Sequence, residues 1–206
     1  MGEQLGLRER KKLETRQRII DAALGLFDQR GFDRVPVAEV ASAANVSEAT
    51  VFNYFPSKED LVYGGMQAYE GQLIAAVASR PDGTGAVAAF RDFVLEPRGA
   101  LAADDGGAIA VVARTARIIA GSEALKAREQ RIVDQATDAL AELIEHDPSA
   151  PSGLGPWVIA NALMGVNRAM TRLAQRLAAE GRSGRQIGPV VRKQGQDAFA
   201  LLERGL

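Results

Sequence analysis

The sequence predicts an all-α protein of about nine helices, and three observations support this fold class. Apolar residues recur at helical spacing: Ile20, Ala23, Leu24 and Phe27 follow the pattern i, i+3, i+4, i+7. No stretch shows the alternation of apolar and polar residues that is typical of a half-buried strand. Clusters rich in Gly, Pro, Asp and Ser separate the helical stretches, as at residues 80–85, 104–107 and 146–155.

The first predicted helix is basic near its start and ends at Gly31, a residue type that readily takes the left-handed conformation past a helix end. Between Arg8 and Arg18 the Arg and Lys residues outnumber the Glu residues. A basic helix face either tracks phosphates or is simply solvated, and this segment alone does not distinguish the two.

Two short helices are predicted next, at about 37–44 and 48–54, and a fourth begins near Ser57. Short helices joined by short connections bury little surface alone, so they must pack on the first helix as a helix-turn-helix unit. Asn45 falls in the turn, where its side chain tolerates positive φ. Ser47 is placed to cap the second short helix.

The outer face of the helix at 48–54 suits DNA. With Val51 and Phe55 facing inward, the outer positions hold Glu48, Ala49, Thr50, Asn53 and Tyr54. Hydroxyls reach phosphate oxygens, and Asn, Ala and Glu each match a base edge. Lys58 falls in the first turn of the next helix, whose amides also favour phosphate. For Phe52, Tyr54 or Lys58 taken singly, a core aromatic or a solvated charge is the alternative.

A dense motif spans residues 14–62, and it comprises Gly31-Phe32, Val37, Val40-Ala41, Ala44-Asn45-Val46-Ser47, Thr50-Val51-Phe52, Tyr54-Phe55, Ser57-Lys58 and Leu61. It resembles the DNA-binding domain of the TetR family of transcriptional regulators. The resemblance implies that 48–54 is the recognition helix. It puts the backbone contacts at Thr50, Tyr54 and Lys58, and the base contacts at Glu48, Ala49, Phe52 and Asn53.

Three departures from the family pattern are present. Asn45 stands where Gly is usual, Val35-Pro36 replaces a pair of threonines, and Phe52 replaces Tyr. The last two changes remove hydroxyls near phosphates. Affinity for the DNA backbone is therefore expected to shift onto Arg16 and Arg18 of the basic first helix.

Residues 1–62 are thus predicted to form a DNA-binding domain with a basic N-terminal tail. The resemblance implies that residues 63–206 form a helical domain that binds a ligand and dimerises. Apolar seams on the last two helices predict a dimer interface at Leu163, Val166, Met170, Leu173, Val191, Ala198 and Leu202. The equally supported alternative is that these seams cover the chain's own core.

Large or polar residues within Ala- and Val-rich helices are the candidates for an effector site: Phe90, Phe93, Arg114, Arg117, Trp157, Asn161, Met164 and Asn167. Each also fits plain core or surface. The abundant Ala and Val favour an apolar or amphipathic effector. Asn161 and Asn167 are the expected polar anchors, and Arg114 or Arg117 is placed to receive a carboxylate.

Composition limits the other function classes. The absence of Cys excludes disulfides and thiolate metal sites, and the single His146 lacks a second His for a metal site. The sequence has no phosphate-binding glycine loop, and Asp104-Asp105 fits a turn better than paired catalytic carboxylates. An enzyme is therefore a weak alternative, and no cofactor is expected.

The sequence as a whole predicts a cytoplasmic regulator with no membrane segment, since no apolar run approaches eighteen residues. By the family resemblance it is expected to repress transcription as a homodimer on pseudo-palindromic operator DNA and to be released by a small effector. The alternative is a helical adaptor that retains the helix-turn-helix shape without specific DNA binding.

Overall fold

The computed structural model describes residues 6–102, 106–148 and 150–204. Within these ranges the chain forms nine α-helices and no strand, which confirms the predicted fold class. The helices are α1 (Leu7–Arg30), α2 (Val37–Ala43), α3 (Glu48–Tyr54), α4 (Asp60–Ala78), α5 (Ala86–Leu95), α6 (Gly106–Ala120), α7 (Glu123–Glu145), α8 (Gly155–Ala179) and α9 (Gly184–Glu203). The predicted turn at Asp104-Asp105 lies outside the described residues.

The chain divides into two compact units. Unit 1 comprises Met1–Gly65 together with Arg114–Arg128, and unit 2 comprises Met66–Ala113 together with Glu129–Leu206. Unit 1 therefore contains the end of α6 and the start of α7 in addition to the N-terminal helices. No helix in the described ranges has the length and apolar character needed to cross a membrane.

Unit 1 is built on the inner face of α1. Ile19, Ala23, Leu24 and Phe27 are buried there, whereas Ile20, which the apolar spacing had included, is half-buried. Gly31 ends the helix at φ 83°, and its amide donates to the Phe27 carbonyl at 2.8 Å. The helix thus ends at the predicted residue, although the ψ of Gly31, at 145°, is extended and differs from the left-handed helical conformation that was expected.

The turn between α2 and α3 has the predicted geometry. Asn45 has a φ of 53°, the one positive value at a non-glycine residue in the described part of the chain. The Ser47 hydroxyl accepts a hydrogen bond from the Thr50 amide at 3.1 Å and so caps α3. Ala41 and Val51 are both buried, which fixes the crossing of the two short helices.

Unit 2 has a core of aliphatic and aromatic side chains in which Phe90, Leu140 and Ile187 are fully or almost fully buried. Helices α8 and α9 pack against each other in this unit. Gly195 allows a close approach, because a Cβ at this position would lie 2.7 Å from the Met170 sulfur. A capping box of Ser183 and Gln186 starts α9.

Candidate nucleic-acid interface

Helix α3 presents one face to solvent and the other to unit 1. Glu48, Ala49, Phe52 and Asn53 are exposed, and these are the four residues predicted to face bases. Val51 and Phe55, on the opposite side, are each only 1% exposed. Phe52 is 44% exposed, so its ring is accessible to a partner on this face.

Thr50 and Tyr54, the predicted backbone contacts, are half-buried at the margins of the same face. The Thr50 hydroxyl lies 2.7 Å from the Ser47 hydroxyl, so it helps to close the first turn of α3. A hydroxyl that donates or accepts in this way retains a free lone pair or hydrogen, and it can still reach a phosphate oxygen.

Lys58 points inward and differs in this respect from the predicted phosphate contact. Its ammonium donates to the Phe32 carbonyl at 2.7 Å and lies 4.2 Å from the centre of the Phe32 ring. Burial lowers the pKa of Lys58, although the nearby Asp33 and Glu59 carboxylates act in the opposite direction. In this conformation the side chain ties the start of α4 to the segment after α1.

Arg16 also packs within unit 1. Its guanidinium lies 5.0 Å from the centre of the Phe55 ring, and a Cβ at Gly64 would come within 2.8 Å of its Nη2. Gly64 therefore leaves the space that Arg16 occupies. Arg18 is exposed and contacts only Thr15, at 3.4 Å, among the hydrogen bonds of the described residues. Of the two arginines predicted to meet phosphates, Arg18 alone extends outward.

The second segment of unit 1 accounts for Arg114 and Arg117, which the sequence had placed in an effector site. Both guanidiniums face Asp28 of α1, with Arg117 Nη2 3.1 Å and Arg114 Nε 3.8 Å from its carboxylate. The carboxylate that these arginines contact in this structure is therefore the chain's own, and their assignment to an effector site stays a prediction.

The same segment supports the start of α4, immediately after α3. The Ser57 amide donates to Asp60 Oδ2 at 3.0 Å, and the Asp60 amide donates to the Ser57 hydroxyl at 3.2 Å. Arg128 Nη2 donates to the other oxygen of Asp60 at 3.1 Å. The spacing of Ser57 and Asp60 is a capping-box signal that was readable in the sequence, whereas no local signal identifies Arg128.

The remaining effector candidates separate into two groups. Phe90, Phe93, Met164 and Asn167 are buried in unit 2, and Asn167 accepts a hydrogen bond from the Tyr69 hydroxyl at 3.1 Å. Trp157 and Asn161 are exposed on α8, where the Asn161 amide donates to the Trp157 carbonyl at 2.9 Å. The side-chain amide of Asn161 therefore has its hydrogen-bond partner at the surface. Of the two asparagines expected to anchor an effector, Asn167 is the buried one.

The dimer candidates lie mainly inside unit 2. Leu163, Val166, Met170 and Val191 belong to its buried core, and Leu173, Ala198 and Leu202 are partly buried against that core. This location agrees with the alternative interpretation, in which the two apolar seams cover the chain's own core. The exposed apolar side chains of the same two helices are others, namely Trp157, Val158, Val190 and Leu201.

Comparison with known proteins connects this geometry to a family. Residues 19–63 match the model for bacterial regulatory proteins of the tetR family. The chain is 37% identical over 78 residues to the HTH-type transcriptional regulator TcmR of Streptomyces glaucescens, covering 38% of this chain and 34% of TcmR. It is 50% identical over 50 residues to LuxR of Vibrio harveyi, covering 24% of each chain. The similarity spans about a third of TcmR and a quarter of LuxR.

A solved structure extends the likeness in fold. NalD, the secondary repressor of the MexAB-OprM multidrug efflux pump in Pseudomonas aeruginosa, matches with a TM-score of 0.53 at 18% identity. The match covers 90% of this chain and 96% of NalD. At this identity the likeness concerns the fold. The helix-turn-helix segment of this chain, residues 19–63, is therefore similar to that of bacterial regulatory proteins of the tetR family.

Proposed function

We propose that the chain is a transcriptional regulator that represses by binding a pseudo-palindromic operator as a homodimer and that leaves DNA when a small effector binds. One observation carries the proposal: Glu48, Ala49, Phe52 and Asn53 are exposed together on α3. This surface is rigid because Val51 and Phe55 anchor the opposite side of the same helix. A rigid helix is the element that docks into the major groove in helix-turn-helix proteins.

Each exposed residue of α3 has a chemical counterpart on DNA. Asn53 presents the donor and acceptor pair that matches adenine N7 and N6, and Glu48 accepts from cytosine N4. Ala49 and Phe52 supply apolar contact for the methyl group of thymine. Thr50 and Tyr54 flank this set with hydroxyls for phosphate oxygens. We thus assign the preference for the operator sequence to the four exposed residues of α3. The hydroxyls of Thr50 and Tyr54 position the helix on the DNA backbone.

Exposed apolar side chains on α8 and α9 support dimerisation. One recognition helix reads too few base pairs to select a site in a genome, and two helices about 34–36 Å apart read both halves of a palindrome. The apolar side chains of Val190 and Leu201 on α9 are 37% and 46% exposed. We assign them, with the exposed part of α8, to the contact with a second copy.

The test is selection from fragmented genomic DNA with the purified protein, repeated with Asn53→Ala. We expect recovery of a pseudo-palindrome whose preference is relaxed at two symmetric positions by the substitution, by about 1–3 kcal/mol per base pair. Gln130→Ala is the matched control, because it removes an exposed side-chain amide from α7, outside the proposed contacts with DNA and with a second copy. Absence of any enriched sequence, at moderate and at high salt, would overturn the proposal.

A helical adaptor remains the second candidate, and a specific observation favours it. Lys58 and Arg16, two of the cations expected at phosphates, are engaged inside unit 1 with aromatic rings and a carbonyl. The salt dependence of binding separates the two functions, because each phosphate contact contributes a slope of about −0.9 in log affinity against log salt. A regulator gives a steep slope on its palindrome, and an adaptor shows no sequence preference at any salt.

A further inference from the structure

Glu70 of α4 is a buried carboxyl group in unit 2. It is 7% exposed, and Leu73 and Val77, three and seven positions later, are fully buried members of the unit 2 core. Residues at these spacings share one face of a helix, so Glu70 faces the same core. Its Oε2 atom is buried and has no hydrogen-bond partner among the described residues.

An unpartnered carboxylate at such a position is costly, because burial removes its hydration and nothing replaces it. Buried polar groups in folded proteins are almost always paired, and an exception calls for a physical explanation. Burial raises the pKa of Glu70 to about 7, so the group is close to half ionised near neutral pH. A group of this kind has strong affinity for any donor that reaches it.

Two polar neighbours of Glu70, Tyr69 and Arg98, do not supply that donor. The Tyr69 hydroxyl donates a hydrogen bond to Asn167 Oδ1, and burial raises the pKa of Tyr69 far above its ordinary range, so the hydroxyl stays protonated. Arg98 is paired with Glu96 and lies 4.0 Å from the centre of the Phe93 ring. Within the described residues, no ion pair includes Glu70.

We propose that Glu70 is the polar anchor of the effector site and that the effector is an amphipathic molecule carrying a protonated amine. The inference rests on the proposed function, whose effector site it locates at the core-facing side of α4. Apolar side chains of the same core, among them Phe93 and Met164, provide contacts for the hydrocarbon part. The Tyr69 and Asn167 pair adds a second polar point beside Phe93, whose ring centre is 5.6 Å from that of Tyr69.

The charge selectivity follows from the same residues. An amine donates to Glu70 Oε2 and neutralises it, an alcohol donates without neutralising, and a carboxylate adds a second negative charge to a buried one. Arg114 and Arg117, the cations expected from the sequence to receive a carboxylate, are paired with Asp28 in unit 1. The site therefore selects cations over anions of the same shape.

The test uses decylamine, decanol and decanoate, three probes with one hydrocarbon chain and different head groups, below their micelle-forming concentrations. Binding to the full chain at about pH 8, where Glu70 is mostly ionised, is measured by calorimetry with wild type, Glu70→Gln and Glu145→Gln. Glu145 is an exposed carboxyl of α7 and serves as the matched control. We expect decylamine to bind most tightly and to lose about tenfold or more in affinity with Glu70→Gln only.

Decanol is expected to keep its affinity for Glu70→Gln within about twofold, which shows that the variant retains its folded site. Decanoate binding as tightly as decylamine, unchanged decylamine affinity in Glu70→Gln, or no binding of any probe would overturn the inference. Operator binding without any probe is measured on the same samples. If it is intact while the amine fails to bind, the inference fails and the proposed DNA-binding function stands.

Discussion

The ammonium of Lys58 and the guanidinium of Arg16 both lie over aromatic rings of unit 1, at 4.2 Å from Phe32 and 5.0 Å from Phe55. Cations placed in this way hold neighbouring segments together and retain part of their charge toward solvent. Their partners, a ring and a carbonyl, are provided by residues distant in sequence. Lys58 and Arg16, which the sequence predicts as phosphate contacts, therefore also stabilise the packing of unit 1.

Burial of Glu70 makes the stability of the folded chain depend on pH, and stability falls as pH rises. Burial raises its pKa from 4.5 to about 7, so the folded chain holds this proton at pH values where the unfolded chain has released it. The free energy of unfolding therefore falls as pH rises from 4.5 to about 7 and levels off above that range. A shift of this size corresponds to about 3 kcal/mol.

We expect Glu70→Gln to raise the free energy of unfolding at pH 8 by about 2 kcal/mol, because the buried charge is removed while a polar amide remains. The same variant should show a smaller change of stability between pH 5 and pH 8 than wild type. Urea unfolding at the two pH values measures both effects, with Glu145→Gln as control. An unchanged pH dependence in Glu70→Gln would contradict the assignment of the titration to this group.

The segment formed by the end of α6 and the start of α7 acts as a brace within unit 1. Its side chains reach Asp28 of α1 through Arg117, Asp33 through Ser122, and Asp60 at the start of α4 through Arg128. The Tyr63 hydroxyl adds a hydrogen bond of 2.9 Å to the Leu125 carbonyl. The cap of α4, the helix that follows α3, thus depends in part on this segment.

Arg128→Met is expected to destabilise unit 1 by about 2 kcal/mol, because it leaves the buried carboxylate of Asp60 without its cation. The cap of α4 should loosen as well, and operator affinity should fall with it. Arg131→Met, a change of the same kind at an exposed position one turn nearer the end of α7, is the control. Chemical unfolding measures the change in stability.

A double-mutant cycle with Asp60→Asn isolates the interaction from the two separate substitutions. Coupling of about 1 kcal/mol or more between positions 60 and 128 is expected. Additive effects would mean that Arg128 stabilises unit 1 through contacts other than this ion pair.

Assembly into a dimer is assigned to the surface that unit 2 leaves apolar. Val190 and Leu201 are separated by eleven positions of α9, close to three helical turns, so they lie on one side of that helix. Arg168, Arg172 and Arg176 form a row of exposed cations on α8, at intervals of four positions. We expect a second copy to contact the apolar side of α9. The three arginines of α8 would then lie at the solvent-exposed rim of the dimer interface.

The double substitution Val190→Glu and Leu201→Glu is expected to weaken dimerisation by at least about tenfold, because buried charges lack partners in the contact. Both positions are partly exposed, so the folded subunit tolerates the change. Sedimentation equilibrium measures the dissociation constant, and Val87→Glu on α5, at a side chain of 40% exposure, is the control. Dimerisation equal to that of wild type would remove this side of α9 from the interface.

The helix-turn-helix fold could be predicted from the sequence because its determinants are local. Asn45, Ser47 and Val51 lie within one turn and the two helices beside it, and the predicted helix at 48–54 has the observed bounds of α3. Hydrogen bonds at fixed short separations set helix ends and caps, so residue type and spacing were sufficient. The exposed face of α3 follows directly from the same periodicity.

The ion pairs of Arg114, Arg117 and Arg128 and the burial of Glu70 were decided by the tertiary structure. Arg128 meets Asp60 at a separation of 68 positions, and Arg117 meets Asp28 at a separation of 89. The apolar seams of α8 and α9 likewise have the spacing that either a core or an interface requires. Charge, polarity and apolar period are properties of a single segment of sequence. Ion pairing and burial depend on which segments the fold brings together, and no single segment contains that information.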